Sequence, residues 1–94
     1  MKLRINGNSL RLRLTPKEVE QISEGQTVDC FCLLPQGKLT YRLVLGEDWD
    51  VRAGVSQIEI AIPSALCQDW ANSEQVGFEK HFDTGLFLLI EKDF

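Results

Sequence analysis

The same order of turn, helix and strand signals occurs twice in this chain, and that recurrence constrains the fold more than any other feature. Landmarks of the first half return after 47 to 49 residues: Gly7 at Gly54, Pro16 at Pro63, Gln26 at Gln75, and Gly37 at Gly85. Between the landmarks, short segments alternate polar and apolar residues with the period of a strand. We interpret the pattern as two ββαββ units, residues 1–46 and 47–94, with chance recurrence as the alternative.

Each unit is too small to bury its own apolar faces, so the two units should share one core. The sequence therefore predicts a single α+β domain over residues 1–94, a pseudo-symmetric β-barrel of two ββαββ units with two short helices. In that core, five apolar residues of the first hairpin should meet three of the second unit: Leu3, Ile5, Leu10, Leu12 and Leu14 with Ile58, Ile60 and Ile62.

The first hairpin carries a cluster of cations. A two-residue turn at Asn6-Gly7 is a strong hairpin signal, and it would place Leu3 opposite Leu10. Four basic residues then share one face and are the candidate anion-binding residues: Lys2, Arg4, Arg11 and Arg13. Like charges opposite one another destabilise a hairpin, so this face should be compensated by a ligand or by acids of the chain.

The charge distribution favours the second explanation. Residues 1–47 carry 7 basic and 5 acidic residues, whereas residues 48–94 carry 3 and 9. An anionic ligand or a protein partner remains open. The net charge of −4 argues against a surface that binds nucleic acid over its whole extent.

Both helices have recognisable starts. Thr15-Pro16-Lys17-Glu18 combines an N-cap threonine, a proline in the first turn and a capping-box glutamate. Gly25 should end this helix. Pro63 should begin a second short helix that presents Leu66 and Trp70 on one face.

The three cysteines do not have the spacing of a metal site, and their odd number does not suggest a disulfide framework. Cys30 and Cys32 fall on one face of a strand, where we expect a pair of small buried hydrophobic residues. A disulfide or a metal pair is the alternative, and Cys67 is the third cysteine. We predict no metal and no cofactor.

Catalytic signals are weak. His81 is the only histidine and lies beside Lys80 in a predicted strand, which favours a half-exposed structural role. The acidic pairs should be solvated: Asp48 with Asp50, and Glu91 with Asp93. No catalytic residue is predicted.

Three segments together resemble a family of short bacterial proteins of unknown function: residues 1–15, Trp70-Ala71-Asn72-Ser73 and Glu91-Lys92-Asp93-Phe94. The resemblance spans the whole chain and implies a bacterial cytoplasmic protein without an assigned activity. Members of that family continue past Glu-Lys-Asp-Phe with a tail that contains Cys and often His. The resemblance implies that any role of such a tail is missing from this sequence.

Residues 10–45 also resemble, more loosely, one unit of the swapped-hairpin AbrB and MazE class, because a strand, Pro16-Lys17-Glu18-Val19, a short helix and a hairpin follow one another. Ile58 to Pro63 repeats the start of that unit. The resemblance implies two interlocked ββαββ units. It also implies DNA binding, although a shared fold does not carry function.

These observations favour a non-enzymatic binding or interaction module with an unknown protein partner, and Trp49 is its candidate contact because two aspartates flank it. One alternative is a DNA-binding regulator of the swapped-hairpin type, with the four cations on phosphates. A third is a barrel that binds a phosphorylated small molecule. Apolar runs too short for a membrane helix, and charges near the N-terminus, predict a cytoplasmic protein. The oligomeric state stays open.

Overall fold

The computed structural model describes residues 1–94 and contains eight strands, two short α-helices and one 3₁₀ turn. The strands are β1 (Lys2–Asn6), β2 (Ser9–Leu14), β3 (Val28–Leu34), β4 (Gly37–Gly46), β5 (Asp50–Ala53), β6 (Gln57–Pro63), β7 (Gly77–His81) and β8 (Phe87–Lys92). The helices are α1 (Pro16–Ser23) and α2 (Ser64–Cys67), and the 3₁₀ turn covers Trp70–Asn72. The predicted α+β class is confirmed.

The strands form two four-stranded sheets. The first sheet has the order β1-β2-β8-β7, and the second has the order β3-β4-β6-β5. In each sheet two antiparallel hairpins meet through a parallel central pair, β2 with β8 and β4 with β6. Each half of the chain therefore contributes one hairpin to each sheet. Both sheets are open, so closure into a barrel stays a prediction.

The pairing register of one sheet matches that of the other. Leu12 lies opposite Ile90 in the first sheet, and Ile60 lies opposite Leu43 in the second. A shift of 48 residues takes Leu12 to Ile60, and a shift of 47 residues takes Leu43 to Ile90. The pair in one sheet therefore corresponds to the pair in the other. The strand pairing thus has the relation that two equivalent units would produce.

The buried core contains 13 residues, all apolar: Leu10, Leu12, Leu14, Val19, Ile22, Val28, Leu43, Ile60, Ile62, Cys67, Trp70, Leu88 and Ile90. Leu3 and Ile58 are half-buried and pack against its rim. The expected meeting of β2 with β6 side chains in one core is therefore realised. Ile5 is the exception, since it lies near the end of an edge strand and is 60% exposed.

The first hairpin turns one residue later than the sequence analysis placed it. Its two turn residues are Gly7 and Asn8, and Gly7 has φ of +56° at the first central position, where a type II′ turn favours glycine. Leu3 therefore lies opposite Leu12 and not Leu10. Because the partner moves by two residues, every side chain keeps its predicted face.

Helix α1 begins as predicted. The Thr15 hydroxyl accepts a hydrogen bond from the Glu18 backbone N–H at 3.3 Å, and the Glu18 carboxylate accepts one from the Thr15 N–H at 2.9 Å. The reciprocal bonds satisfy two backbone donors that the first turn leaves without helical partners. Gly25 follows the end of the helix with φ of +90°, a left-handed conformation that glycine adopts readily.

The second helix is shorter than predicted. Helix α2 has four residues and no side-chain cap, and the chain then takes a left-handed conformation at Asp69. The prediction that Leu66 and Trp70 share a helix face is therefore wrong: Leu66 is 38% exposed, whereas Trp70 is buried. The Trp70 indole N–H donates to the Gln75 carbonyl at 2.8 Å. Neither this helix nor α1 has the length and apolar character needed to span a membrane.

Candidate functional site

The four candidate anion-binding cations lie on the outer face of the first sheet. Strand β1 contributes Lys2 and Arg4, and β2 contributes Arg11 and Arg13. Residues of β2 alternate between the core and this outer face, because successive side chains of a strand point to opposite sides. Lys2 lies opposite Arg13, and Arg4 lies opposite Arg11, so like charges do face one another across the hairpin.

Acids from the second half of the chain compensate three of these cations. Parallel pairing places Glu91 of β8 opposite Arg13, and the Arg11 Nε donates to the Glu91 carboxylate at 2.7 Å. The Arg13 Nε lies 3.2 Å from the same oxygen. Lys2 Nζ lies 3.0 Å from the Asp93 carboxylate. The hydrogen bond from Lys2 holds the pKa of Asp93 below its ordinary value despite some desolvation.

Glu91 is less solvated than the sequence analysis expected. Its side chain is only 14% exposed, because β8 is a central strand and two arginines from β2 cover it. The acidic pair of Glu91 and Asp93 is therefore the counter-charge of the cationic face.

Arg4 forms no ion pair and is the cation left over. It borders a cleft of about 220 Å³ whose lining is entirely polar: Arg4, Asn6, Ser9 and Arg11. The cleft thus has one unpaired guanidinium, from Arg4, beside an arginine that is already paired. Its positive charge is much smaller than that of the four-cation site predicted from the sequence.

Trp49 is half-buried and packs against the edge of the core. It also borders an open groove of about 560 Å³, lined by Trp49, Leu66, Gln75, Val76, Gly77, Phe78, Glu79, Leu89 and Glu91. Trp49 therefore does reach the surface, but as part of a groove wall and not as an isolated projecting ring.

A feature that the sequence analysis missed lies at the edge of the second sheet. Strand β3 buries only its first residue, Val28. Beyond it, Phe31 is 59% exposed, Leu33 is 74% exposed and Leu34 is 51% exposed. Phe31 and Leu33 lie on one face of the sheet and Leu34 lies on the other, so the strand presents apolar surface on both.

The hairpin of β3 and β4 extends past the rest of its sheet. Pairing of β4 with β6 begins only at Thr40, whereas pairing with β3 continues to Gly37. We call residues 30–39 the arm, which is this extension together with Cys30 and Phe31, the two β3 residues directly before it. Cys32 lies in the arm and is exposed, so the expectation that both Cys30 and Cys32 are buried is wrong for Cys32. The core simply ends before the strand does.

The arm edge also lacks the charges that protect the other edges. Strand β1 carries Lys2 and Arg4, β5 carries Asp50 and Arg52, and β7 carries Glu79 and Lys80. After Asp29, β3 has no charged residue. Charged side chains on an edge strand discourage pairing with another chain, and the β3 strand of the arm is without them, since the one charged residue of the arm, Lys38, is on β4. The signal in the sequence was the uncharged run Cys30-Phe31-Cys32-Leu33-Leu34, which does not alternate.

The two remaining reactive side chains differ in exposure: Cys67 is buried, whereas His81 is exposed and not half-exposed as predicted. Cys67 is the last residue of α2, and burial raises the pKa of its thiol to about 11, so it stays protonated at neutral pH. The exposed His81 stacks beside Phe87, with 4.7 Å between ring centroids. No group of three His, Cys, Asp or Glu side chains lies close enough together to hold a metal ion.

A family model described as a family of unknown function, DUF7009, matches residues 1–94. No curated protein and no solved structure matches the chain. The family match covers the same full length as the resemblance drawn from the sequence segments.

Proposed function

The chain belongs to DUF7009, a family of unknown function, and we propose that this protein is a non-enzymatic protein-binding module whose binding element is the arm. The observation that carries the proposal is the exposure of Phe31, Leu33 and Leu34 on the uncharged part of an edge strand. Extended segments of other proteins bind such edges by adding a strand, with backbone hydrogen bonds for affinity and side chains for specificity.

Energetics support a partner at this place. An isolated two-stranded hairpin is marginally stable in water, and the arm is a two-stranded extension without a core. The exposed parts of its three large apolar side chains amount to roughly 300 Å². Covering that area contributes about 7 kcal/mol before the cost of association is subtracted.

The compensated cationic face supports a protein partner over nucleic acid. Glu91 and Asp93 already form ion pairs with three of the four cations. A phosphate that binds any of these three would have to displace a carboxylate. A DNA-binding regulator and a binder of a phosphorylated small molecule remain the alternatives. Both would depend on Arg4 and its polar cleft.

We further propose that the two units, residues 1–46 and 47–94, derive from a duplication and interlock as one domain. The strand order supports this, because the first sheet becomes the second when β1 to β4 are exchanged for β5 to β8. In this proposal the sheets form two sides of a barrel-like core.

Site-specific photo-crosslinking in bacteria tests the binding module. A benzophenone amino acid replaces Leu33 in the arm, and the matched control carries it at Ile5, an exposed apolar residue on an edge of the other sheet. We expect defined protein adducts from position 33 and none, or far fewer, from position 5. Absence of adducts at position 33 would overturn the proposal.

A titration separates the alternatives. Mixed duplex DNA, polyphosphate and inorganic phosphate are added to the wild type at low and moderate salt. Nucleic-acid binding falls steeply with salt because it releases counterions. We expect no such salt-dependent binding. Binding that Arg4→Gln abolishes would instead favour an anion site at the cleft.

A further inference from the structure

The four edge strands differ in what they offer to another strand. Three of them are five residues or shorter and carry a cation or an anion near their middle. Strand β3 has seven residues and a central uncharged stretch, Cys30 to Leu34. Only β3 therefore combines a long open strand edge with uncharged, largely apolar side chains, which is what strand addition requires.

The side chains of β3 are complementary to themselves. In an antiparallel pair of two β3 strands centred on Cys32, Phe31 lies opposite the Leu33 of the other copy, and Cys30 lies opposite its Leu34. All five cross-strand pairs are then uncharged. Side chains that lie directly opposite one another contact across the two strands, and such cross-strand contacts stabilise a sheet.

Neighbouring registers are worse. Centring the pair on Phe31 places the Asp29 carboxylate opposite Leu33, and Asp29 is the group that accepts the Arg42 hydrogen bond at 2.6 Å. Centring it on Leu33 places Phe31 opposite Pro35, beyond the end of the strand, and Pro has no N–H to donate. The position of Asp29 and the end of the strand at Leu34 thus favour the register centred on Cys32.

We propose that the partner on the β3 edge is a second copy of this chain, paired antiparallel through β3 with Cys32 opposite Cys32 on the two-fold axis. This inference rests on the proposed function, because it identifies the protein that binds the arm. The contact joins two four-stranded sheets into one of eight strands. A two-fold contact uses the same patch on both copies, which is the commonest arrangement of homodimers.

The size of the contact sets its strength. Two arms expose together roughly 600 Å² of large apolar side chains, which is below the roughly 1,200 Å² of the smallest standard interfaces. The dimer should therefore be weak, with a Kd of about 1 to 100 μM. Monomer and dimer should both be present across an ordinary concentration series.

Sedimentation equilibrium of the full chain measures the association. We expect a monomer–dimer equilibrium that Leu33→Lys weakens at least tenfold, because an ammonium would then lie opposite Phe31 of the other copy. The matched control Ile5→Lys places the same charge on an edge of the first sheet and should leave the Kd unchanged. A wild type that stays monomeric up to about 1 mM overturns the inference.

Cysteine cross-linking tests the register with the wild type and two conservative variants. Mild oxidation with copper phenanthroline removes two electrons and two protons from two facing thiols. Directly opposite residues of antiparallel strands have Cα atoms about 4.5–5.5 Å apart, which a disulfide spans. We expect a covalent dimer from the wild type and from Cys30→Ser, but none from Cys32→Ser. A dimer that requires Cys30 instead overturns the register.

The photo-crosslinks distinguish failure of this inference from failure of the proposed function. An adduct at position 33 with twice the chain mass of 10.7 kDa supports the second copy. Adducts of other masses alone keep the binding module and overturn the second copy. No adduct overturns both.

Discussion

The hairpins β3–β4 and β7–β8 occupy equivalent places in the two sheets, yet one is anchored along its length and the other projects into solvent. Both follow a helix, and each places its second strand beside a strand of the other half. The difference therefore does not arise from topology. It arises from how far each hairpin extends past the residues that can cover it.

Strand β8 pairs on both sides over nearly its whole length, with β2 through residues 87–92 and with β7 through 87–91. Its inward residues Leu88 and Ile90 are fully buried. Strand β4 has ten residues and overlaps β3 and β6 on both sides only from Thr40 to Leu43. The first three residues of β4, Gly37 to Leu39, thus pair with β3 alone, and this end of the hairpin has no strand on its other side.

The largest expected loss of stability comes from the core positions, where both hairpins bury a large apolar side chain. Leu43 and Ile90 are both fully buried, and replacing either by alanine should lower the free energy of unfolding by about 3 kcal/mol. Leu33→Ala, in the exposed part of the arm, should change it by less than about 0.5 kcal/mol. Urea unfolding at low protein concentration measures all three. A large loss in Leu33→Ala would contradict the comparison.

The next effect tests how tightly β7 lies against β8. A Cβ at Gly77 would lie 2.8 Å from the Glu91 Cα and would also clash with the Ile90 carbonyl oxygen. Gly77→Ala should therefore cost about 1 to 3 kcal/mol of unfolding free energy. The matched control is Gly37→Ala at the tip of the other hairpin, where a Cβ meets nothing within 4 Å. Equal losses would show that the two hairpins are packed alike.

Much of this fold was predictable because its local signals agree with one another. The capping box at Thr15-Pro16-Lys17-Glu18 fits the helix that forms there, and alternation along β2 and β6 identified the core residues. The turn was misplaced by one residue because Gly7 can begin a turn as well as end one. Parallel pairing of β2 with β8 depends on contacts distant in sequence, so no local pattern specified it.

The candidate site was predictable only in part, for the same reason. The shared face of the four cations follows from the two-residue period of a strand. Their compensation by Glu91 needed the register of β8, although the charge difference between the halves indicated it. The exposure of the arm was not predicted, because an apolar run such as Cys30-Phe31-Cys32-Leu33-Leu34 is typical of a buried strand. The sequence alone does not show that the core ends before this run does.

A smaller effect concerns the ion pairs that fasten β8 to β2. Replacing both Arg11 and Arg13 by Gln leaves Glu91 without cations, and we expect a loss of about 1 kcal/mol at low salt. The loss should shrink at high salt, which screens partly exposed pairs. On the other hairpin, Arg42→Gln removes contacts to two acids that are both more exposed than Glu91, and it should cost less. A double variant as stable as the wild type at low salt would show that relief of repulsion outweighs the pairing.

The smallest effect is a dependence on pH at the end of β8. Lys2 lowers the pKa of Asp93 below its ordinary value of 3.8, so the folded protein releases this proton more readily than the unfolded chain. The pair therefore adds stability above pH 3.8, and that contribution disappears as the pH falls through the lower folded pKa. Between about pH 5 and pH 3, wild type should lose slightly more stability than Lys2→Gln, because the variant has already lost the charge that holds Asp93 ionised. The difference should vanish in high salt, since both groups lie at the surface. Parallel urea melts of the two proteins at each pH measure it, and curves that stay parallel down to pH 3 would mean that the pair does not fasten β1 to the end of β8.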